Sequence, residues 1–168
     1  MRGTPRVTTV AVAMAAATLV IAASTARAQR TSGPLLQPAG RVDVFVSTLT
    51  AVHAGAELSA IAGRYLRVAA VGGLGGSWND GSSGLSARAE VVGRFMLDPD
   101  FRARWAPYAA GGLGAHYDDI GPDWRATLII ALGMEGPDWN GVVPFFEAGY
   151  GGGARFSIGL RRTRSRGR

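Results

Sequence analysis

The chain has 168 residues and a formal net charge of +6, with no cysteine and no lysine, so all 18 basic residues are arginines. Without cysteine it forms no disulfide and carries no lipid on an N-terminal cysteine. Without lysine it lacks the Gly-x-x-x-x-Gly-Lys-Ser/Thr loop that binds nucleotide phosphates.

Residues 1–28 have the layout of a secretory signal peptide. Arg2 and Arg6 form a positive head, residues 7–24 carry no charge, and Ala26 and Ala28 supply the small residues of a cleavage site. The alternative is a membrane anchor, because the uncharged stretch approaches the roughly 18 residues that a spanning helix needs. We expect cleavage after Ala28 and export, with an N-terminal linker over 29–40.

Two glycine-rich stretches raise the question of a phosphate-binding loop: AAVGGLGGSW at 69–78 and AAGGLGAHY at 109–117. The dinucleotide fingerprint G-x-G-x-x-G would place its third glycine at Trp78 or Tyr117, so neither stretch fits. Both stretches alternate with a period of two, as strands do. We therefore expect strands in which inward glycines, such as Gly75 and Gly149, leave room for long side chains.

The same alternation occurs eight times, with turn-forming residues between the segments. The predicted strands are 42–50, 53–62, 65–78, 85–96, 105–117, 124–135, 142–150 and 154–162, and the break near Ala51 and Val52 is the weakest. Evenly spaced strands with short connections predict an all-β fold, an antiparallel up-and-down eight-stranded β-barrel over 41–162. A β-sandwich is the alternative.

The two faces of these strands differ in polarity. One face is almost wholly apolar or small and includes Leu74, Leu128 and Ile130. The other face carries charges that must pair inside a narrow lumen, because an isolated buried ion is very costly. The predicted lumen network consists of Asp43, Glu57, Arg67, Arg88, Glu90, Arg94, Arg125, Glu147 and Arg155. A selective pore is the alternative, although eight strands leave little open bore.

The environment of the barrel decides which face points outwards. An apolar outer face indicates a membrane barrel, and an apolar inner face indicates a soluble one. Nine charges without lysine are sparse for a surface in water, and aromatic residues lie at strand ends, as in lipid-interface girdles. The expected interfacial aromatics are Trp78, Trp105, Tyr117, Trp124, Trp139 and Tyr150. The alternative is a soluble, lipocalin-like periplasmic barrel that binds a small apolar ligand.

Strand segments such as YLRVAAVGGLGGSW, WRATLIIALGME and ARFSIGL resemble those of the small eight-stranded outer-membrane barrels of the OmpA/OmpX type. The resemblance covers most of the chain after residue 28 and rests on strand pattern. It implies a monomeric barrel in outer-membrane lipid, with a structural or interaction role.

No catalytic site, metal or cofactor is predicted. Some barrels of this kind are lipid-modifying enzymes with a His, a Ser and an acid near one rim. Here His53 has Gly55 as its neighbour on the same face, and no nucleophile is evident beside His116. Asp118, Asp119 and Asp123 lack the ligand spacing of a calcium loop.

Residues 161–168 hold five arginines. A charge run of this kind is typical of a solvated chain end. It predicts a flexible tail, with 163–168 outside the barrel, that contacts acidic lipid or other polyanions and no nucleic acid.

Overall fold

The computed structural model describes residues 36–79, 81–99, 104–120 and 123–163. The predicted signal peptide, residues 29–35 of the predicted linker and residues 164–168 of the predicted tail lie outside the described residues. No helix within the described part of the chain is long and apolar enough to cross a membrane.

Eight antiparallel strands pair in chain order, and the last strand pairs with the first to close a barrel. This confirms the all-β class and the up-and-down eight-stranded topology. The strands are β1 (Gln37–Val46), β2 (Thr50–Ile61), β3 (Leu66–Asn79), β4 (Ser82–Met96), β5 (Ala106–Asp118), β6 (Asp123–Glu135), β7 (Val142–Tyr150) and β8 (Ala154–Arg162).

The hairpin between β7 and β8 turns at three glycines, residues 151–153, and this loop length predicts the register that is found. Tyr150 pairs with Ala154 and Gly149 pairs with Arg155. Gly152 has a φ of 82°, a left-handed conformation that a three-residue hairpin loop gives to glycine. The register places Glu147 and Arg155 on the same inner face.

Two predicted boundaries near the start of the barrel are wrong. β1 begins at Gln37, so residues 37–40 belong to the barrel and not to a linker. Pro38 pairs with Leu58 of β2 and has no pairing partner in β8, whose register with β1 begins at Ala39. A strand tolerates proline at such a one-sided position, because no neighbour needs its missing N–H. The first turn lies at residues 47–49, and Ala51 and Val52 are inside β2.

The inward glycines make room for backbone more than for arginine side chains. A Cβ on Gly75 would lie 1.8 Å from the Val52 carbonyl oxygen, and one on Gly149 would lie 2.2 Å from that of Ile130. Only glycine fits where strands approach each other this closely. At Gly73 the expected role holds, because a Cβ there would lie 3.0 Å from Arg88 Nε.

The outer face of the barrel is apolar. Leu74, Leu113 and Leu132 are 66–69% exposed, whereas most charged residues of the lumen are buried. The six expected interfacial aromatics point outwards at the two ends. Trp105 and Trp139 lie at the end where β1 begins and β8 ends, here called the termini end. Trp78, Tyr117, Trp124 and Tyr150 lie at the opposite end, here called the hairpin end, where the rings of Tyr117 and Trp124 are 5.4 Å apart.

Candidate functional site

The lumen holds a network of ion pairs that includes eight of the nine charged residues predicted for it: Asp43, Glu57, Arg67, Arg88, Glu90, Arg94, Glu147 and Arg155. These side chains occupy alternate positions of their strands, so the pleat directs all of them inwards. The prediction is wrong for Arg125, which is exposed. Arg125 keeps the inward alternation of β6, but it lies two residues from the hairpin end of that strand, where solvent reaches it.

Three charged residues of the network lie outside the predicted set: Arg41, Glu135 and Arg161. Arg161 was predicted to belong to a flexible tail, and this is wrong. Its side chain is completely buried, it contacts Glu57 at 3.2 Å and it forms an ion pair with Glu135. The inward alternation of β1 places Arg41 two residues before Asp43, and that of β8 places Arg161 four residues after Ser157. The sequence therefore contained the evidence that Arg41 and Arg161 face inwards.

Two carboxylates are the hubs of the half of the network nearer the termini end. Glu57 accepts hydrogen bonds from Arg41 at 2.9 Å, Arg94 at 2.6 Å and Arg161 at 3.2 Å. Glu147 is bonded to Arg41 at 2.8 Å and to Arg94 at 2.8 Å. Tyr108 Oη also donates to Glu147, at 3.0 Å.

The half nearer the hairpin end is built around Asp43 and Glu90. Asp43 accepts from Arg88 and from the Ser157 hydroxyl, and Glu90 pairs with Arg88 at 2.5 Å and with Arg155 at 3.0 Å. Arg155 also lies 3.5 Å from Glu147, which joins the two halves. With Tyr108 of β5 included, every strand contributes a side chain, so the network reaches from wall to wall.

Two phenylalanine rings, those of Phe45 and Phe145, lie against the arginine side chains of the network. Arg41, Arg94 and Arg161 lie over the Phe145 ring, with Cζ at 5.0–5.7 Å from its centroid. Arg88 and Arg155 lie over the ring of Phe45 at 5.3 and 5.7 Å. A guanidinium can stack on a ring and bond several carboxylates at once, which the single ammonium of lysine does less well. Arginine is therefore well suited to these lumen positions.

A second polar cluster, the His53–Ser86–His116 cluster, lies on the hairpin side of the ion pairs. Ser86 Oγ lies 2.8 Å from His53 Nε2 and 2.7 Å from His116 Nε2. The expectation that no nucleophile accompanies His116 is therefore wrong. Ser86 is on β4 and shares its inward alternation with Arg88 and Glu90, which is the sequence signal for this contact.

The cluster has only part of the geometry of a nucleophile and its base. Ser86 is completely buried, and its hydroxyl is also within 3.1 Å of the Tyr117 carbonyl oxygen. Among the described residues, no carboxylate is hydrogen-bonded to either imidazole to orient it, and His53 Nδ1 has no partner. A catalytic triad requires that third group.

The fold and the polarity of its two faces define the class of a closed, eight-stranded antiparallel β-barrel with a charged interior and an apolar outer face. No family model matches the chain, and no curated protein matches its sequence.

Solved structures are similar in fold. The crystal structure of the N-terminal β-barrel domain of Pseudomonas aeruginosa OprF has a TM-score of 0.59 and 12% identity, over 77% of this chain and 96% of that one. The solution NMR structure of the de novo designed TMB2.3 has a TM-score of 0.52 and 19% identity, over 81% and 99%. Another structure, from the de novo design of transmembrane β-barrels, has a TM-score of 0.52 and 17% identity, over 81% and 100%. At these identities the comparison confirms the resemblance to small membrane barrels at the level of the fold.

Proposed function

We propose that this chain is an integral β-barrel protein of the outer membrane, with a structural or interaction role and no catalysis. The observation that carries the proposal is the inverted distribution of polarity. Arg94, Arg155 and Arg161 are at most 1% exposed inside the barrel, whereas Leu132 and Ile158 are 69% and 64% exposed outside. Such a surface is costly in water and favourable against lipid tails. The fold shared with designed transmembrane barrels supports the same assignment.

The soluble alternative requires an interior that accepts an apolar ligand. Ligand pockets of that kind are lined mostly by hydrophobic side chains. Here the described inner face carries six arginines and five carboxylates that bond to one another. An apolar ligand would have to displace these ion pairs, so this interior does not favour the alternative.

The same network supports a closed lumen over a selective pore. Its side chains come from all eight strands, and Glu57 and Glu147 each bind arginines from at least two other strands. A barrel of eight strands has an interior that side chains just fill. We expect the purified protein in a planar lipid bilayer to give no stable conductance.

Fractionation of expressing cells with an alkaline carbonate wash tests the membrane assignment. An integral barrel stays in the membrane pellet, and release into the wash would contradict the proposal. Intact mass of the recovered protein tests export, since it should lack residues 1–28. Insertion with the N-terminus retained would contradict signal cleavage and support the anchor alternative.

A contact with acidic lipid or other polyanions belongs to the end of the chain, beyond the barrel. Arg161 is unavailable for it, but Arg162 is exposed, and Thr163 is held by bonds to the Gly141 carbonyl and to Asp138. Deleting residues 164–168 should weaken binding to vesicles that contain anionic lipid, more strongly at low salt. Unchanged binding would assign the contact to another surface.

A further inference from the structure

The His53–Ser86–His116 cluster has no part in the proposed structural role, and its geometry points to a ligand. The two imidazoles come from β2 and β5, and their ring centroids are 5.2 Å apart. Phe45 packs edge-on against both rings, at 5.4 and 5.7 Å, and so fixes their planes. Both Nε2 atoms point at one oxygen, Ser86 Oγ.

From this arrangement we propose that His53 and His116 together bind a divalent transition-metal ion of the copper, nickel and zinc group. Imidazole nitrogen suits these ions, whereas calcium and magnesium prefer oxygen ligands. The Nε2 atoms lie 2.8 and 2.7 Å from a shared point, and metal–nitrogen bonds are about 2.0–2.1 Å long. An ion bound to both Nε2 atoms must lie farther from Ser86 Cβ than the hydroxyl oxygen does, so the hydroxyl has to turn aside and both rings have to move towards the ion.

The coordination would consist of two imidazoles completed by oxygen. No group of three His, Asp or Glu side chains in the described residues forms a ready-made metal site. Water supplies the remaining oxygen ligands, and the displaced Ser86 hydroxyl is not one of them. Asp118, the cross-strand partner of Ser86, is buried with Oδ2 unpartnered, which leaves a carboxylate oxygen at the same end of the lumen for a bound water.

The surrounding charges permit a cation at this point. Arg88 is the cross-strand neighbour of His116, but it is paired with Asp43 and with Glu90. Arg125, which pairs in register with His116, is exposed and screened by water. His53 is fully buried, whereas His116 is partly exposed, so a metal ion would reach the cluster past the His116 ring.

The composition of the chain makes the test specific. It has two histidines and no cysteine. In an untagged protein, a Cu²⁺ ion bound by two imidazoles of one chain must therefore be bound by His53 and His116. The measurement is electron spin-echo envelope modulation of Cu²⁺, which counts coordinated imidazoles, on the detergent-refolded full chain with one equivalent of the ion.

We expect the wild type to show two imidazoles and His116→Gln to show one. Ser86→Ala is the matched control, because it removes the hydroxyl and keeps both rings, so its two-imidazole signal should persist. One imidazole or none in a folded wild-type barrel would overturn the proposal, as would the same signal in wild type and His116→Gln. A heat-modifiability gel shows that each variant is folded.

Zinc supplies a second measurement that does not depend on copper spectroscopy. Zn²⁺ should raise the thermal midpoint of wild type and of Ser86→Ala, because a ligand that binds only the folded state stabilises it. It should leave the midpoint of His116→Gln unchanged. An equal rise in all three proteins would show adventitious binding to carboxylates and would refute the site.

Discussion

Replacing Glu147 with glutamine should destabilise the barrel, because it removes a buried charge that two arginines and a tyrosine share. Glu147 accepts hydrogen bonds from Arg41 and Arg94, both at 2.8 Å, and from Tyr108 at 3.0 Å. Breaking a buried ion pair by removing one partner costs about 3–5 kcal/mol. Arg41 and Arg94 retain Glu57 as a partner, so we expect a loss at the lower end of that range, about 3 kcal/mol.

Double-mutant cycles separate the partners of Glu147. Arg94 contacts it at 2.7 Å, whereas Arg155 lies at 3.5 Å and has a closer carboxylate in Glu90, at 3.0 Å. Contacting residues couple by about 0.5–3 kcal/mol. The coupling of Glu147→Gln with Arg94→Met should lie in the upper half of that range, and that with Arg155→Met at its lower end.

Urea unfolding in liposomes, followed by tryptophan fluorescence, gives the free energies for both cycles. The Arg155 cycle is the matched control, because it places the same methionine in the same lumen. Coupling with Arg155 that equals or exceeds the coupling with Arg94 would refute the described arrangement. Strict additivity in both cycles would mean that Glu147 is not part of the network.

Three further pairs of changes test other parts of the molecule by the same unfolding measurement. Ile130→Arg should cost about 2–4 kcal/mol if that face meets lipid near the bilayer midplane. Trp124→Arg lies near the hairpin end and should cost about 0–1 kcal/mol. Equal costs for the two variants would contradict a membrane-embedded face. Gly133→Ala should cost about 1–3 kcal/mol, because its Cβ would lie 2.3 Å from Tyr108 Cζ, whereas Gly72→Ala meets no atom within 4 Å and should be near neutral. Arg161→Met should cost about 3 kcal/mol, whereas deletion of residues 164–168 should change stability by less than about 0.5 kcal/mol. A larger loss of stability from the deletion than from Arg161→Met would contradict the burial of Arg161 in the barrel.

The number of strands, their topology and the direction in which their side chains point were predictable, because every segment alternates with a period of two. The apolar face from Leu74 to Ile130 and the register of the last hairpin follow from that period and from turn chemistry alone. The errors in strand boundaries fall at strand ends, where the alternation is short. Pro38 and Gly40 made the start of β1 resemble a linker, and the charge run after Leu160 hid the fact that Arg161 still faces inwards.

The partners inside the lumen were not predictable in the same way. Cross-strand neighbours follow from the register, but contacts such as Arg94 with Glu57 and Ser86 with His53 cross the interior between strands that are not adjacent. They depend on the tilt and stagger with which the sheet closes, which the alternation does not encode. The sequence indicated most of the side chains that meet in the lumen, and only the closed barrel shows which pairs they form.

The ion pairs of the lumen also join the two ends of the chain. Arg41 bonds to Glu147 across 106 positions, Glu57 to Arg161 across 104, and Asp43 to Ser157 across 114. In a sheet of the first six strands, Arg41, Asp43 and Glu57 would lack the partners that β7 and β8 supply. Forming those contacts also costs the entropy of closing a loop of more than a hundred residues. The last two strands supply Glu147, Arg155, Ser157 and Arg161 together. The same two strands therefore close the seam between β1 and β8 and complete the ion pairs of the interior.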